Sequence, residues 1–288
     1  MVGNGSSVSS NKSTPVFFQP GDEQTLDLVR QWIYAHTGLY YPTDKLPLLA
    51  QRLKAVCREL RIPDLSTLYQ FLKDGNRPDL ALELAQAVST NHTYFFRELE
   101  NIKFFQQRII PTLPSVERWR IWSGACASGE EVYTLAIVLA ETLGMDWARR
   151  KGAILGTDIS PAMIELAERG VYHYHKLQPI PEALRQKYFR PVGLGQWQVK
   201  PELQEWCVFR RLNLVSKPWP FKNRFHVVLL RNVLYYFDNE VRREVVERAY
   251  DTTAPGGWLV TSVTESLRNI NTRWTWVRPG IYRKSGGK

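Results

Sequence analysis

Cysteine is scarce in this chain. Cys57, Cys126 and Cys207 are odd in number and far apart. They offer no paired disulfide framework and no metal-ligand spacing, so no metal is expected. A reducing compartment is their simplest setting, which points to a cytoplasmic protein. Long apolar runs are missing too: nothing approaches the roughly eighteen residues that a membrane-spanning helix needs. Residues 1–15 are Gly, Ser, Asn, Lys and Thr with almost no apolar content. They lack the apolar centre of a signal peptide, and a disordered tail is expected to residue 17. No zinc-finger spacing, RNP-type aromatic signature or extended Lys/Arg block is present, so no nucleic-acid partner is indicated.

What the chain does have is aromatic residues and positive charge. Ten Trp, thirteen Tyr and twelve Phe stand among 288 residues. That length suffices for one large domain or two modest ones, with a sizeable core. The net charge of +10 favours an acidic partner. The densest local signal is Thr90-Asn91-His92-Thr93-Tyr94-Phe95-Phe96-Arg97-Glu98. Three consecutive rings cannot share one face of a helix or strand. The run is expected to line a cavity, with its aromatics walling it and Arg97 held inside.

Residues 18–88 read as a small all-α domain. Leu49, Leu53, Val56, Cys57 and Leu60 form one apolar stripe, with Lys54, Arg58 and Arg61 on a flanking face. Thr25 to His36 and Leu80 to Val88 read as further helices. After Pro114 the pattern alternates. Arg118 to Ser123, Ala153 to Thr157, Phe225 to Leu230 and Trp258 to Val263 read as strands. Glu130 to Gly144, Pro161 to Glu168 and Glu240 to Tyr250 read as helices, and Pro255-Gly256-Gly257 as a turn. Such alternation predicts an α/β, doubly wound, Rossmann-like sheet over 89–288. Residues 172–212 differ in texture and are expected to form a small antiparallel β insertion, with Trp206 to Leu212 as one of its strands.

The chemistry centres on Ser123-Gly124-Ala125-Cys126-Ala127-Ser128-Gly129, a loop of small residues between a strand and a helix. Small side chains let a ligand approach the backbone closely. The loop is neither G-x-G-x-x-G nor a phosphate-binding P-loop. Glu130 and Glu131 open the helix, where a carboxylate would repel a pyrophosphate and suit a cationic ammonium. That favours S-adenosylmethionine over a dinucleotide or ATP. Asp158, ending the second strand, is placed to accept hydrogen bonds from ribose hydroxyls. Taken singly, the glutamates could merely complement the helix dipole; one βαβ unit holding all three features is more specific.

These segments carry a resemblance. Asn91 to Glu98, RIWSGACASGEEVYTLAI, GTDIS, LRNVLYYFD, and APGGWL with SVTESL stand in the order and spacing of the CheR family. Those are S-adenosylmethionine-dependent methyltransferases that esterify glutamates on chemotaxis receptors. The resemblance runs from residue 30 to residue 266 and includes the helical segment. It implies a Rossmann-like methyltransferase domain with the β insertion, preceded by an all-α docking domain. It also implies that Asn91, Thr93 and Arg97 approach the cofactor, that Glu130 takes the methionine ammonium and Asp158 the ribose. Asn213 and Leu214 would flank the adenine, Arg231 and Asn232 would close over the cofactor, and Tyr236 would stand beside the transferred methyl. Arg97 and Tyr236 are the expected catalytic pair, and S-adenosylhomocysteine the product.

On the substrate side the resemblance implies a partner: the Glu-rich cytoplasmic helical bundle of chemotaxis receptors, in membrane receptor arrays. Arg52, Lys54, Arg58 and Arg61 are expected to dock on it. In many members the β insertion also binds a pentapeptide tether at the receptor C-terminus. Here the stretch from Tyr188 to Leu203 looks shorter, similar to the tether-independent class. A monomer is expected. The competing functions are a nucleic-acid methyltransferase, suggested by charge alone, and a non-catalytic cofactor-binding scaffold.

Overall fold

The computed structural model describes residues 22–75, 77–89 and 91–286. The expected tail lies outside them, as does Thr90. Four helices come first: α1 (Glu23–Thr37), α2 (Leu46–Glu59), α3 (Leu65–Asp74) and α4 (Pro78–Val88). Leu26, Val29 and Ile33 of α1 repeat at helical spacing and are buried. Leu49, Leu53, Val56 and Cys57 of α2 are buried as their stripe predicts. The Asp64 side chain caps α3 by accepting the Thr67 N–H at 2.7 Å. Helix α1 stops at Gly38, whose φ of +70° suits glycine and whose N–H bonds back to the Tyr34 carbonyl. A Cβ on Gly38 would stand 2.4 Å from Val215 Cγ1, so the two halves of the chain touch there with no room for a side chain.

Helix α5 (Leu99–Phe104) leads into the second half. Strand β1 (Trp119–Gly124), helix α6 (Glu130–Leu143), helix α7 (Met145–Lys151), strand β2 (Gly152–Asp158) and helix α8 (Pro161–Arg169) follow. Next come β3 (Val171–His173), α9 (Glu182–Tyr188), β4 (Phe189–Gly193), β5 (Gln196–Val199), α10 (Pro201–Gln204) and β6 (Cys207–Arg211). The chain closes with β7 (Phe225–Leu230), α11 (Asn239–Thr252), β8 (Thr253–Thr261), β9 (Thr275–Arg278) and β10 (Ile281–Arg283).

Seven strands make one sheet in the order β6-β2-β1-β7-β8-β10-β9. From β6 to β8 the neighbours are parallel, and β10 runs antiparallel to both β8 and β9. Strand order reverses direction beside β1, the place where open α/β sheets hold ligands. The predicted doubly wound α/β class is correct.

Strand β7 explains how the sheet is buried. Val227 and Leu229 enter one core with α6 residues such as Val132 and Leu135. Val228 and Leu230 enter another with Val245 and Val246 of α11 and with Leu49, Leu53 and Leu68 of the helical domain. A strand covered on both faces reads as one continuous apolar run. The helical domain therefore shares a core with the far face of the sheet.

Two expectations need correction. Cys207–Arg211 belongs to the large sheet as its parallel edge, pairing with β2, and not to the β insertion. Its short, mixed-polarity sequence hid this because only the inner neighbour supplies a ladder. The insertion is the three-stranded antiparallel sheet β3-β5-β4. Pro255–Gly257, expected as a turn before a strand, is a bulge within β8: register with β7 jumps from Phe225–Thr253 to Val227–Trp258.

Candidate active site

The loop after β1 turns under its own backbone hydrogen bonds. The Cys126 N–H donates to the Thr157 carbonyl at 2.9 Å, and the Ala127 N–H donates to Asp158 Oδ2 at 2.9 Å. Asp158 Oδ1 accepts the Ser160 N–H at 2.9 Å. The aspartate is buried, and burial pushes its pKa up against those backbone bonds.

Around this loop lies a cavity of about 970 Å³, counting its open mouth. Asn91, Thr93, Arg97, Asp158, Asn213, Leu214, Arg231, Asn232 and Tyr236 all line it. The fold thus gathers eight of the nine expected cofactor residues, plus the tyrosine, from four segments. Ile159, Leu212, Val233 and Phe237 add apolar walls. Thr37 and Leu39 of the helical domain also line it, a contribution that nothing in the sequence indicated.

The ninth residue, Glu130, is not there. Its carboxylate is fully buried and turned away, accepting from Ser128 Oγ at 2.7 Å and Lys176 Nζ at 2.6 Å. Glu131 faces the cavity instead, accepting from Ser123 Oγ at 2.8 Å and Arg231 Nη1 at 2.6 Å. The correction has a physical cause. Adjacent helical carboxylates point about 100° apart, and a lysine from the insertion neutralises the inner one.

The aromatic run is corrected too. Tyr94 alone of its three rings lines the cavity. Phe95 is fully buried, edge-on to Tyr172 at 5.1 Å and Phe189 at 5.5 Å, and Phe96 packs against the same core. The splay is set by backbone: Phe96 (φ +57°) and Glu98 (φ +58°) are left-handed. Among the described residues seven non-glycine positions have positive φ. Five of them, Phe96, Glu98, Ala125, Ala127 and Asn232, sit in the segments that build this cavity. Strained backbone of this kind persists where the surroundings hold it, often at functional sites.

Arg231 is the hub of that support. Its side chain is 2% exposed, and it bonds Glu131, donates to the Arg97 carbonyl at 2.6 Å, and lies 3.5 Å from Glu98. Glu98 also accepts from Ser262 Oγ at 2.7 Å. Burial raises the Glu98 pKa, but the Ser262 bond and the Arg231 charge outweigh it, so the carboxyl lies below its usual range. Buried Glu265 accepts the N–H groups of Asn232, Leu234 and Ser262 and so fixes the loop carrying Tyr236. Glu98 and Glu265 stood inside quoted motifs, yet nothing in the sequence marked them as braces.

The Arg97 guanidinium donates to the His92 carbonyl at 2.9 Å and sits 5.5 Å over the Tyr94 ring. The Tyr236 hydroxyl accepts from Tyr235 at 3.1 Å. The Tyr236 carbonyl accepts the Tyr40 N–H at 2.8 Å, and Asn213 Nδ2 donates to the His36 carbonyl at 2.7 Å. The helical domain is thereby bonded to both sides of the site.

Of the four docking residues, Lys54, Arg58 and Arg61 are exposed. Arg52 is not free to dock: it is half-buried and donates to Tyr41 Oη at 3.1 Å and to the Val88 carbonyl, tying α2 to α4. The Val88 carbonyl that ends α4 also accepts the Tyr41 hydroxyl, so Arg52 joins a pair that is already bonded.

A switch-point cavity with two carboxylates, two guanidinium groups and a small-residue loop is a Rossmann-like site suited to an amino-acid-bearing nucleoside. The family model "CheR methyltransferase, SAM binding domain" matches residues 91–280, and "CheR methyltransferase, all-alpha domain" matches 24–89. The chain belongs to the CheR methyltransferase family and is an S-adenosylmethionine-dependent methyltransferase. It is 33% identical over 264 residues to "Chemotaxis protein methyltransferase 1" of Pseudomonas aeruginosa, covering 88% of this chain and 95% of the relative. It is 30% identical over 259 residues to "Chemotaxis protein methyltransferase" of Borreliella burgdorferi, covering 88% and 91%. The Escherichia coli protein of that description is 28% identical, covering 89% of each chain.

The residues fit the cofactor. Glu131 offers negative charge at the helix start, Asp158 offers acceptors for vicinal hydroxyls, and Leu212 and Leu214 offer apolar faces to a base. No helix among the described residues is long and apolar enough to cross a membrane.

Proposed function

We propose that the protein methylates glutamate carboxylates of chemotaxis receptors, giving methyl esters. One observation carries this: Arg97 and Tyr236 line the same cavity as Glu131 and Asp158, so acceptor-side and cofactor-side groups share a wall. Bound there, S-adenosylmethionine supplies a methyl group activated by its sulfonium. Glu131 is the group for the ammonium and Asp158 for the ribose, with Asn91, Thr93, Asn213, Leu214, Arg231 and Asn232 completing the pocket.

A glutamate acceptor is already ionised at neutral pH and needs no base. The site suits that requirement. Asp158, Glu131, Glu98 and Glu265 are all engaged by N–H or O–H donors as supports of the site, and the proposal asks none of them to act as a base. Arg97 binds one acceptor oxygen and orients the other. Tyr236 walls the methyl's path. Catalysis then reduces to alignment and exclusion of water.

The helical domain is the docking unit in this proposal, with Lys54, Arg58 and Arg61 facing the acidic receptor bundle at the membrane. The tight Gly193–Leu194–Gly195 connection between β4 and β5 supports independence from the receptor's pentapeptide tether. Titration with such a peptide is expected to show no micromolar binding.

The deciding experiment incubates the protein with labelled S-adenosylmethionine and receptor cytoplasmic fragments. Base-labile label released as methanol is expected. Label in nucleic acid, or cofactor binding without transfer, would overturn the proposal.

A further inference from the structure

None of residues 171–199, the β insertion, lines the cavity. Yet two of its side chains grip the cofactor loop from behind. Lys176 Nζ reaches Glu130 Oε1 at 2.6 Å and stands 3.5 Å from Ser128 Oγ. Ser128 Oγ itself donates to Glu130 at 2.7 Å. Tyr172, buried, donates its hydroxyl to the Ser128 carbonyl at 2.7 Å. The same Tyr172 ring packs edge-on against Phe95, which anchors the segment carrying Arg97.

Glu130 is fully buried, and it is ion-paired with Lys176, a side chain 39% exposed. A buried carboxylate without its cation is unfavourable enough to reorganise its surroundings. The surroundings here are Ser128 and Gly129, the last residues of the loop, and Gly129 has φ +91°. Its Cβ position would lie 2.8 Å from Ala167 Cβ, so the loop is wedged between α8 and the insertion. Moving Ser128 moves Ala127, whose N–H holds Asp158.

We infer that Lys176 is a positioning residue for S-adenosylmethionine: through Glu130 and Ser128 it fixes the cofactor loop, so the β insertion governs cofactor affinity without touching the cofactor. The inference rests on the cavity being the cofactor site.

Isothermal titration of S-adenosylhomocysteine tests it, at a temperature where circular dichroism shows each variant folded. Wild type must bind; if it does not, the site assignment itself fails. Lys176→Met is expected to weaken binding by on the order of tenfold, and to raise KM for S-adenosylmethionine while KM for the receptor fragment stays put. Lys176→Arg, which keeps the charge, is expected to restore binding. Should Lys176→Met not fold, Lys176→Gln, which also removes the cation and leaves Glu130 charged, is read instead, with the same weakening expected. Wild-type affinity in the folded Lys176→Met or Lys176→Gln variant overturns the inference, because a purely structural pair would lower Tm and leave binding unchanged.

Discussion

At the scale of single residues the proposed function assigns binding and orientation to different side chains. Arg97→Ala is expected to cut kcat/KM for receptor methylation by about 10²–10³-fold, as loss of a positioned donor does. S-adenosylhomocysteine should still bind within a few fold of wild type, since Glu131 and Asp158 remain. Turnover near wild type would remove Arg97 from the acceptor side. Glu131→Gln should weaken cofactor binding more strongly, because it also strips buried Arg231 of its nearest carboxylate. Equal affinity in that variant would count against Glu131 as the ammonium's partner. Asp158 was legible in the sequence because a strand end fixes where its side chain goes. The choice between Glu130 and Glu131 was not, because it turns on Lys176, 46 residues further on.

At the scale of elements, local signals predicted most boundaries. Ser160 caps α8 by accepting the Met163 N–H, with Pro161 at the first helical position. Asp64 caps α3 in the same way, and Asp64→Ala is expected to cost about 1 kcal/mol in chemical denaturation. Gly38→Val forces a side chain into Val215 at a left-handed position, and its Tm should fall well below that of wild type. Between β1 and β7, His226 Nδ1 accepts the Arg120 N–H at 3.0 Å. Burial, then the Arg120 charge, hold the His226 pKa below the ordinary 6.5. Below pH 6.5 the unfolded chain therefore binds a proton that the native protein resists, and stability declines as pH falls through the folded value. His226→Gln should flatten the dependence of Tm on pH in that window; an identical slope would show that other groups set it. Edge strand β6 was readable as a strand but not its sheet: its ladder partner β2 precedes it across α8 and the whole β insertion, and its own pattern carries no period.

At the scale of the whole molecule the net charge of +10 bears on docking. Reversing Lys54, Arg58 and Arg61 to Glu is expected to raise KM for receptor fragments several-fold and to blunt its salt dependence. Cofactor affinity should not change, and a matching loss there would mean the helical domain had been damaged. Composition and alternation made the α/β class readable. They said nothing of how the two domains meet, because Tyr34 and Asp238, joined at 2.6 Å, are 204 residues apart.

Thr37 and Leu39, in the roof of the cavity, have a thermodynamic consequence. In the proposed function, the domain that meets the receptor is also part of the container for the methyl donor. If occupancy of the container alters how the helical domain grips its partner, the partner must alter occupancy by the same factor. Tyr40 and Tyr236, bonded through their backbones, are where that reciprocity would be transmitted. Receptor and cofactor then act as effectors of one another through a wall they share.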